Sequence, residues 1–382
     1  MKVSDVVLNY LKQIGVKTVF TVSGGGCIHL IDSLGKSGLD YVCVHHEQSA
    51  TMAAEGYART IDQIGASIVT TGPGGTNAIT GVLGCWLDSI PSIVISGQVS
   101  LNQISEGTNC RQIGDQEFDI ISTVKSMTKY AVMIKDKNQI LYELQKAHHL
   151  ATDGRPGPAW IDIPLDIQAS QVDYDTLRQF ENETSCNTIE DSQIEEFKKL
   201  LLASKRPLIV SGNGIRLSES VEMLKTFLDK TQIPIVTGIH SGIDNVDNNY
   251  AYYAGRIGIL GQITSNRIVQ ECDLLICLGT RLPVKMTGYD IANFSPLSKK
   301  VMVDVDQYEI EKHKFNIDLK INGHLQDFFN LVNNEEYLLE ISEWQDHIKD
   351  LRSSQVYYQP KHENCEDYLS YYYFVSKVSK YF

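Results

Sequence analysis

A single carboxylate set among small residues is the group in this chain best placed to do chemistry. Glu47 stands within YVCVHHEQSATMAAEGYART (41–60), just after the short run 41–44 and two histidines. Ala50, Ala53, Ala54 and Tyr57 then recur at spacings of three and four. That pattern predicts a strand feeding a helix, with the acid at the strand's carboxyl end, where open parallel sheets bind ligands. The plainer alternative is an acid that compensates the helix dipole in a first turn. Two glycine turns accompany it. Ser23-Gly24-Gly25-Gly26 follows an expected buried strand at 17–22, and Gly72-Pro73-Gly74-Gly75-Thr76-Asn77 follows another at 66–71. Glycine lets backbone approach a ligand closely, a glycine loop ahead of a helix can cradle phosphate, and Thr76 is placed to cap the helix that follows. Neither spacing is GxGxxG or a P-loop, so no nucleotide is specified and a plain turn stays open.

Regular elements must hold these groups in place. Ser4 reads as the N-cap of a first helix with Val6, Val7, Tyr10, Leu11 and Ile14 on one face, closed by Gly15. Asp88-Ser89-Ile90-Pro91 leads into a strand at 92–96 and then Gly97-Gln98. The turn-rich 153–158, containing Arg155, leads into a strand at 159–163 expected to close the first sheet. Polar residues loosen the pattern over 171–190, which reads as a linker. Strands then return at 207–211, 233–237, 274–278 and 300–305, with helices between them, such as 218–230. The fold class is therefore α/β, with two doubly wound parallel-sheet domains (1–170 and 191–335) and a short helical tail (336–382). Gly212-Asn213-Gly214, GRIGILG (255–261, containing Arg256), Gly279-Thr280-Arg281 and VDVD (303–306) read as loops at the carboxyl ends of strands. Those are places for a dinucleotide, with Asp304 and Asp306 as acceptors for ribose or adenine; an empty, structural domain is the alternative.

Composition narrows the class. The 382 residues allow two or three domains with sizeable cores. Thirty-four basic against 47 acidic side chains, a net charge of −13, argue against a nucleic-acid partner. Eight scattered cysteines show no metal-like spacing and read as buried, reduced thiols. The N-terminus lacks a signal-peptide layout, and no apolar run reaches the roughly 18 residues of a membrane span. A cytoplasmic chain with no membrane partner is expected.

HEQSATMAAEGYAR resembles the catalytic-glutamate segment of thiamine-diphosphate enzymes of the acetolactate synthase type, and GPGGTN is similar to the GPGxTN loop of that family. The resemblance runs from residue 1 to about 335. It implies that Glu47 shares a proton with the aminopyrimidine ring of thiamine diphosphate, so that the cofactor loses its own ring proton and becomes a nucleophile; burial would favour the protonated acid. It also implies that 1–170 binds the pyrimidine and that Gly24, Gly25, Gly72, Pro73, Gly74, Thr76 and Asn77 line the cofactor. Gln98 would lie near its reacting end, and Lys129 would match a lysine near the substrate entrance, though Lys129 also reads as a solvated helix-end residue. Arg155 matches an arginine that contacts FAD in relatives that keep a flavin, or is a turn residue. For the middle domain the resemblance suggests FAD, through Gly212, Gly214, Arg256, Gly279, Arg281, Asp304 and Asp306. The match is partial, because GRIGILG and RLPVK (281–285) stand where the family has a methionine-rich loop and RFDDR.

Two departures bear on function. Asp115 precedes Gln116 and Glu117 where acetolactate synthases carry an aromatic residue, a change that should alter which acceptor fits; this segment and the triple glycine look more like the subset associated with polysaccharide biosynthesis. YLSYYYFVSKVSKYF resembles the start of a third, diphosphate-binding domain, but no GDG followed by an asparagine occurs in these residues. Mg²⁺ and the diphosphate would then be held by a missing domain or a partner chain, because hard oxygen ligands must complete the metal's shell. The expected activity is decarboxylation of a pyruvate-like 2-keto acid and carboligation, in a homodimer or homotetramer. The alternatives are a 2-keto acid decarboxylase, a non-catalytic subunit pairing with a full-length relative, and, from the doubly wound pattern alone, a nicotinamide- or flavin-dependent oxidoreductase.

Overall fold

The computed structural model describes residues 1–181, 188–239, 241–354, 360–363, 365 and 367–381. The chain divides into two compact units, Met1–Ser185 and Cys186–Phe382. The linker expected at 171–190 falls partly outside the described residues, at 182–187. The α/β expectation holds: each unit carries a six-stranded, wholly parallel sheet with helices, and a short helix, Tyr371–Val378, lies near the C-terminus.

In the first unit the strands are β1 (Thr18–Thr21), β2 (Asp40–Cys43), β3 (Gly65–Val69), β4 (Ser92–Gln98), β5 (Tyr130–Met133) and β6 (Pro158–Pro164), in the order β2-β1-β3-β4-β6-β5. The helices are α1 (Val3–Gln13), α2 (Ile28–Ser37), α3 (Glu47–Ile61), α4 (Pro73–Asp88), α5 (Ile120–Val124), α6 (Ile140–Thr152) and α7 (Leu165–Ala169). The central strands β3, β4 and β6 are buried throughout, as apolar runs covered on both faces must be. β2 is exposed along its length, Tyr41 and Val42 included, because it is the outer strand. Two expectations need correction. Ser4 is not a cap: α1 starts at Val3, and Ser4 is buried in its first turn, where its hydroxyl accepts from Ser33 Oγ at 2.8 Å. Nor does β6 close the sheet. β5, a short half-buried strand hidden in the sequence by polar neighbours, takes that edge.

In the second unit the strands are β7 (Pro207–Ser211), β8 (Ile235–Gly238), β9 (Tyr253–Ile257), β10 (Leu274–Leu278), β11 (Lys299–Asp304) and β12 (Leu319–Asn322), ordered β12-β11-β10-β7-β8-β9. Phe197, Phe227, Phe328 and Phe329 fill the core on one face, with the Phe197 and Phe328 rings edge to face at 5.2 Å. Burying one such ring contributes roughly 1.5–3 kcal/mol. The stretch 255–261 is not wholly a loop, since Gly255 and Arg256 lie inside the edge strand β9. In the tail expected to be helical from 336, the first helix spans Ser342–Ser353, anchored by buried Trp344, whose indole N–H donates to Pro207 O at 3.0 Å. The thiols are not uniformly buried. Cys27, Cys85, Cys272 and Cys277 are, whereas Cys43 and Cys110 are exposed, and each of these is free. Among the described residues no helix is long and apolar enough to cross a membrane.

Candidate active site

The strand order places a topological switch between β1 and β3, where connections leave in opposite directions and open a crevice at the carboxyl ends. The loop after β1 is Ser23–Gly26, and β3 leads through 70–72 into the first helical turn of α4, 73–77. They meet through Thr70: Gly26 N–H donates to Thr70 Oγ1 at 3.0 Å, and a Cβ on Gly24 would stand 2.6 Å from the Thr70 side chain. Gly25, by contrast, has nothing within 4 Å of its would-be Cβ and faces open space.

Glu47 reaches the same place from the next strand. His46 caps α3, its Nδ1 accepting from Gln48 N–H at 3.2 Å, so Glu47 becomes the first helical residue, half-buried. α3 lies tightly along α4. Thr51 Oγ1 donates to Ala78 O at 2.9 Å, and a Cβ on Gly81 would overlap Thr51. That contact carries Asn77 to the carboxylate, where its Nδ2 donates to Glu47 Oε2 at 3.0 Å. Glu47 Oε1 takes no hydrogen bond from the described residues. It stands 3.5 Å from where a Gly74 Cβ would be, and the same Cβ would come within 2.6 Å of Thr70. The arrangement is a carboxylate with one oxygen anchored by Asn77 and the other without a hydrogen-bond partner among the described residues, beside a glycine that packs on Thr70. It can hold a proton for, or share one with, a flat heterocycle seated in the crevice. A carboxylate with one oxygen open to a partner is a group that could hold the pyrimidine half of thiamine diphosphate.

The turn itself is shaped by its neighbours. Gly72 sits at φ +59°, and a side chain there would overlap the carbonyl of Gln116. Thr76 does not cap α4. The N-cap is Gly72 with Pro73 as the first helical residue, and Thr76 Oγ1 donates to Pro73 O at 3.2 Å. Asp115 and Gln116 are exposed, on a segment held by Glu117. Burial pushes the Glu117 carboxyl up, but the amides of Ser105 and Ile113 donate to it and hold it below the usual carboxylate range.

Three expected residues stand differently. Gln98 is 3 % exposed, and its amide is fully engaged: Oε1 accepts from Thr71 Oγ1 (2.6 Å) and Val99 N–H (3.0 Å), and Nε2 donates to Phe118 O (2.9 Å) and Asp162 Oδ2 (3.1 Å). It positions loops and has no hydrogen-bonding capacity left for a substrate. Lys129 precedes β5 and Arg155 precedes β6, so in a parallel sheet both lie at the amino ends, opposite Glu47. Lys129 Nζ donates to the carbonyls of Asp153 (2.6 Å) and Arg155 (2.8 Å), and Arg155 Nε donates to Ser89 Oγ (2.8 Å). Lys129 is thus neither a solvated helix end nor a neighbour of Glu47 within its own unit. Thr70, Thr71, Ser96 and Asp162 were missed. Their only trace in the sequence is the occurrence of polar residues at the carboxyl ends of otherwise apolar strands.

In the second unit the switch falls between β7 and β10. There the glycine turns pack on each other: a Cβ on Gly212 would overlap Gly279 O, and one on Gly214 would lie 2.7 Å from Gly279 Cα. Asp304 Oδ1 accepts from Asp306 N–H at 3.0 Å, and Asp306 caps the following helix through Tyr308 N–H at 3.0 Å. Arg281 is exposed, and Arg256 lies on the outer strand, away from the switch. Loop-to-loop contact accounts for these glycines, so they are no evidence of a dinucleotide cradle.

Two family models match the chain: the N-terminal TPP binding domain of thiamine pyrophosphate enzymes over residues 1–122, and the central domain of the same enzymes over 194–331. The chain is similar to the acetolactate synthase isozyme 2 large subunit of Escherichia coli, with 33 % identity over 347 residues, 91 % of this chain and 61 % of that one. The acetolactate synthase large subunit of Lactococcus lactis is 33 % identical over 315 residues, 81 % of this chain and 53 % of its own. A probable acetolactate synthase large subunit of Methanocaldococcus jannaschii is 31 % identical over 367 residues, 93 % and 60 % respectively. The chain thus spans between about half and three-fifths of the length of these relatives.

Proposed function

Because the chain belongs to the thiamine pyrophosphate enzymes, carrying their N-terminal TPP binding and central domains, we propose that it supplies the pyrimidine-side half of a thiamine diphosphate site for acetolactate synthase-like chemistry. The substrate is a pyruvate-like 2-keto acid, which loses its carboxylate before the remaining acyl unit is joined to a second carbonyl compound. Bound thiamine diphosphate supplies the carbon nucleophile and electron sink. This chain's residues do the rest. Glu47 holds a proton at Oε1, Asn77 fixes Oε2, Gly24 and Gly74 let the loop after β1 and the start of α4 pack on Thr70, and Gly25 faces open space where a flat ring can lie. The observation that carries the reading is the unpartnered Oε1 of Glu47 beside the glycine turn at the β1/β3 crevice.

Mg²⁺ and the diphosphate are held outside these 382 residues, on a further segment or a partner chain, since no GDG-and-asparagine arrangement occurs here. Lys129 bears on the reaction only from a second copy of the chain, which the proposed homo-oligomer provides. For the second unit the partial flavin-loop match leaves two readings, an FAD site and an empty structural domain; a yellow purified chain would select the first and a colourless one the second.

Calorimetry with thiamine diphosphate and Mg²⁺ tests the half-site. Weak, saturable binding that disappears in Glu47→Ala is expected. Tight binding by the chain alone overturns the division of the site, and no binding at millimolar cofactor overturns the site. With the diphosphate-binding half supplied, Glu47→Gln should lower turnover by roughly 10²–10⁴, the range for an acid–base group. Full activity in that variant would remove Glu47 from its role.

A further inference from the structure

Asp162, on β6, is a carboxyl group buried without a cation among the described residues. It is 1 % exposed, and its contacts are a serine and an amide. Ser96 Oγ donates to Oδ1 at 2.6 Å, and the Trp160 indole N–H donates to the same Ser96 Oγ at 2.8 Å. Gln98 Nε2 donates to Oδ2 at 3.1 Å. The Gln98 amide can face only one way, because Val99 N–H requires its oxygen and Phe118 O requires its nitrogen. Its second N–H therefore needs an acceptor where no water reaches, and Asp162 is that acceptor. Beyond Gln98 the chain of bonds divides. One branch runs to Thr71, whose hydroxyl also points to Gln116 O at 3.3 Å, and so to the turn that faces Glu47; the other holds Phe118.

We propose that Asp162 is a positioning residue of the candidate site: through the Gln98 amide, its carboxyl fixes where the 71–77 turn and the 116–118 segment stand beside Glu47. An aspartate suits this place better than an amide. Oδ2 must accept from Gln98 in either protonation state, so any proton sits on Oδ1, and gaining it reverses the bond to Ser96 without disturbing Gln98. Burial pushes the Asp162 carboxyl up to about 7, against the opposing pull of Ser96 and Gln98, and Asp119 at the head of α5 adds to the rise. Ionisable groups on the helices packed against β6 have partners elsewhere: on α6 Glu143 pairs with Tyr130 of β5, Lys146 lies over the Tyr130 ring and His148 pairs with Tyr10, and on α7 Asp166 accepts from Leu101 N–H. β4 presents Ser96 and Gln98, neither of which titrates.

The functional meaning of Asp162 rests on the thiamine-site reading, but the network can be measured without cofactor. In the purified full chain, selectively ¹⁵N-labelled tryptophan reports on it, because Trp160 is one of three tryptophans and bonds directly to Ser96. The Trp160 indole resonance, assigned with Trp160→Phe, should shift with pH around one near-neutral midpoint and stay flat in Asp162→Asn. Amide exchange over 71–77 and 114–118 should rise roughly tenfold or more in Asp162→Ala, the loss of one bond to a charged group, with exchange in α1 unchanged. Gln98→Leu should loosen the same two segments yet keep the Trp160 titration, which also covers the case in which Asp162→Ala does not fold. An indole resonance that still titrates in Asp162→Asn, or unchanged segments in Gln98→Leu, would overturn the proposal. Either result leaves the thiamine-site reading standing, and a failure to bind thiamine diphosphate would leave this network standing.

Discussion

Two carboxyl groups at the carboxyl edge of the first sheet have opposite surroundings, and that contrast defines their roles. Glu47 is half-buried, with one oxygen anchored by Asn77 and the other without a hydrogen-bond partner among the described residues. Asp162 is sealed, with both oxygens engaged. The second arrangement has a measurable consequence for stability. In the folded chain the Asp162 carboxyl titrates at about 7 instead of its ordinary 3.8, so between those values the folded state binds more protons than the unfolded one. The stability Asp162 contributes is fully present below the lower value and is lost as pH rises through the higher. Urea unfolding of the first unit from pH 5 to pH 8 should therefore show a decline attributable to this group, and Asp162→Asn should flatten it. An unchanged slope in the variant would mean that Asp162 is not the group responsible.

At the scale of elements, the site depends on how closely two helices approach. α3 brings the acid and α4 brings Asn77 and the glycine turn, and they meet where Gly81 leaves room for Thr51. The small residues that made 47–60 look helical are the ones that permit this approach, with Ala50 and Ala54 buried beneath. Gly81→Val would force the helices apart. Overpacking of this kind costs roughly 1–3 kcal/mol, visible as a lower urea midpoint, and should weaken thiamine diphosphate binding by drawing Asn77 from Glu47. Gly35→Ala, on a helix position with nothing within 4 Å, is the control: it should leave binding unchanged and hold or raise the urea midpoint, since alanine suits a helix interior better than glycine.

For the molecule as a whole, the two units have separate cores, and the proposed thiamine contacts belong to Met1–Ser185 alone. Ligand linkage gives this a signature. Cofactor at a hundred times its dissociation constant stabilises the unit that binds it by about 2.7 kcal/mol. Amide exchange with and without thiamine diphosphate should show that protection in the first unit and none across β7 to β12. Protection confined to the second unit would reverse the assignment.

The α/β class, most strand cores and the location of Glu47 beside a glycine turn were legible in the residues, because hydrophobic period and glycine placement are local properties of the chain. The edges were not. β5 is short and half-covered, β9 is short and carries a glycine, and GRIGILG reads as a loop until β8 pairs with its first residues. The functions of Gln98, Lys129 and Arg155 were likewise beyond the sequence. Whether a side chain faces a cleft or is held by neighbours depends on tertiary packing: Gln98 is saturated by Thr71, Val99, Phe118 and Asp162, and the parallel direction of β5 and β6 sets Lys129 and Arg155 at the amino ends, away from Glu47. Residue types and spacing determined which chemistry this chain could carry; the parallel packing of distant strands decided which of those residues meet, because only tertiary structure brings β2, β3, β4 and β6 together at one edge.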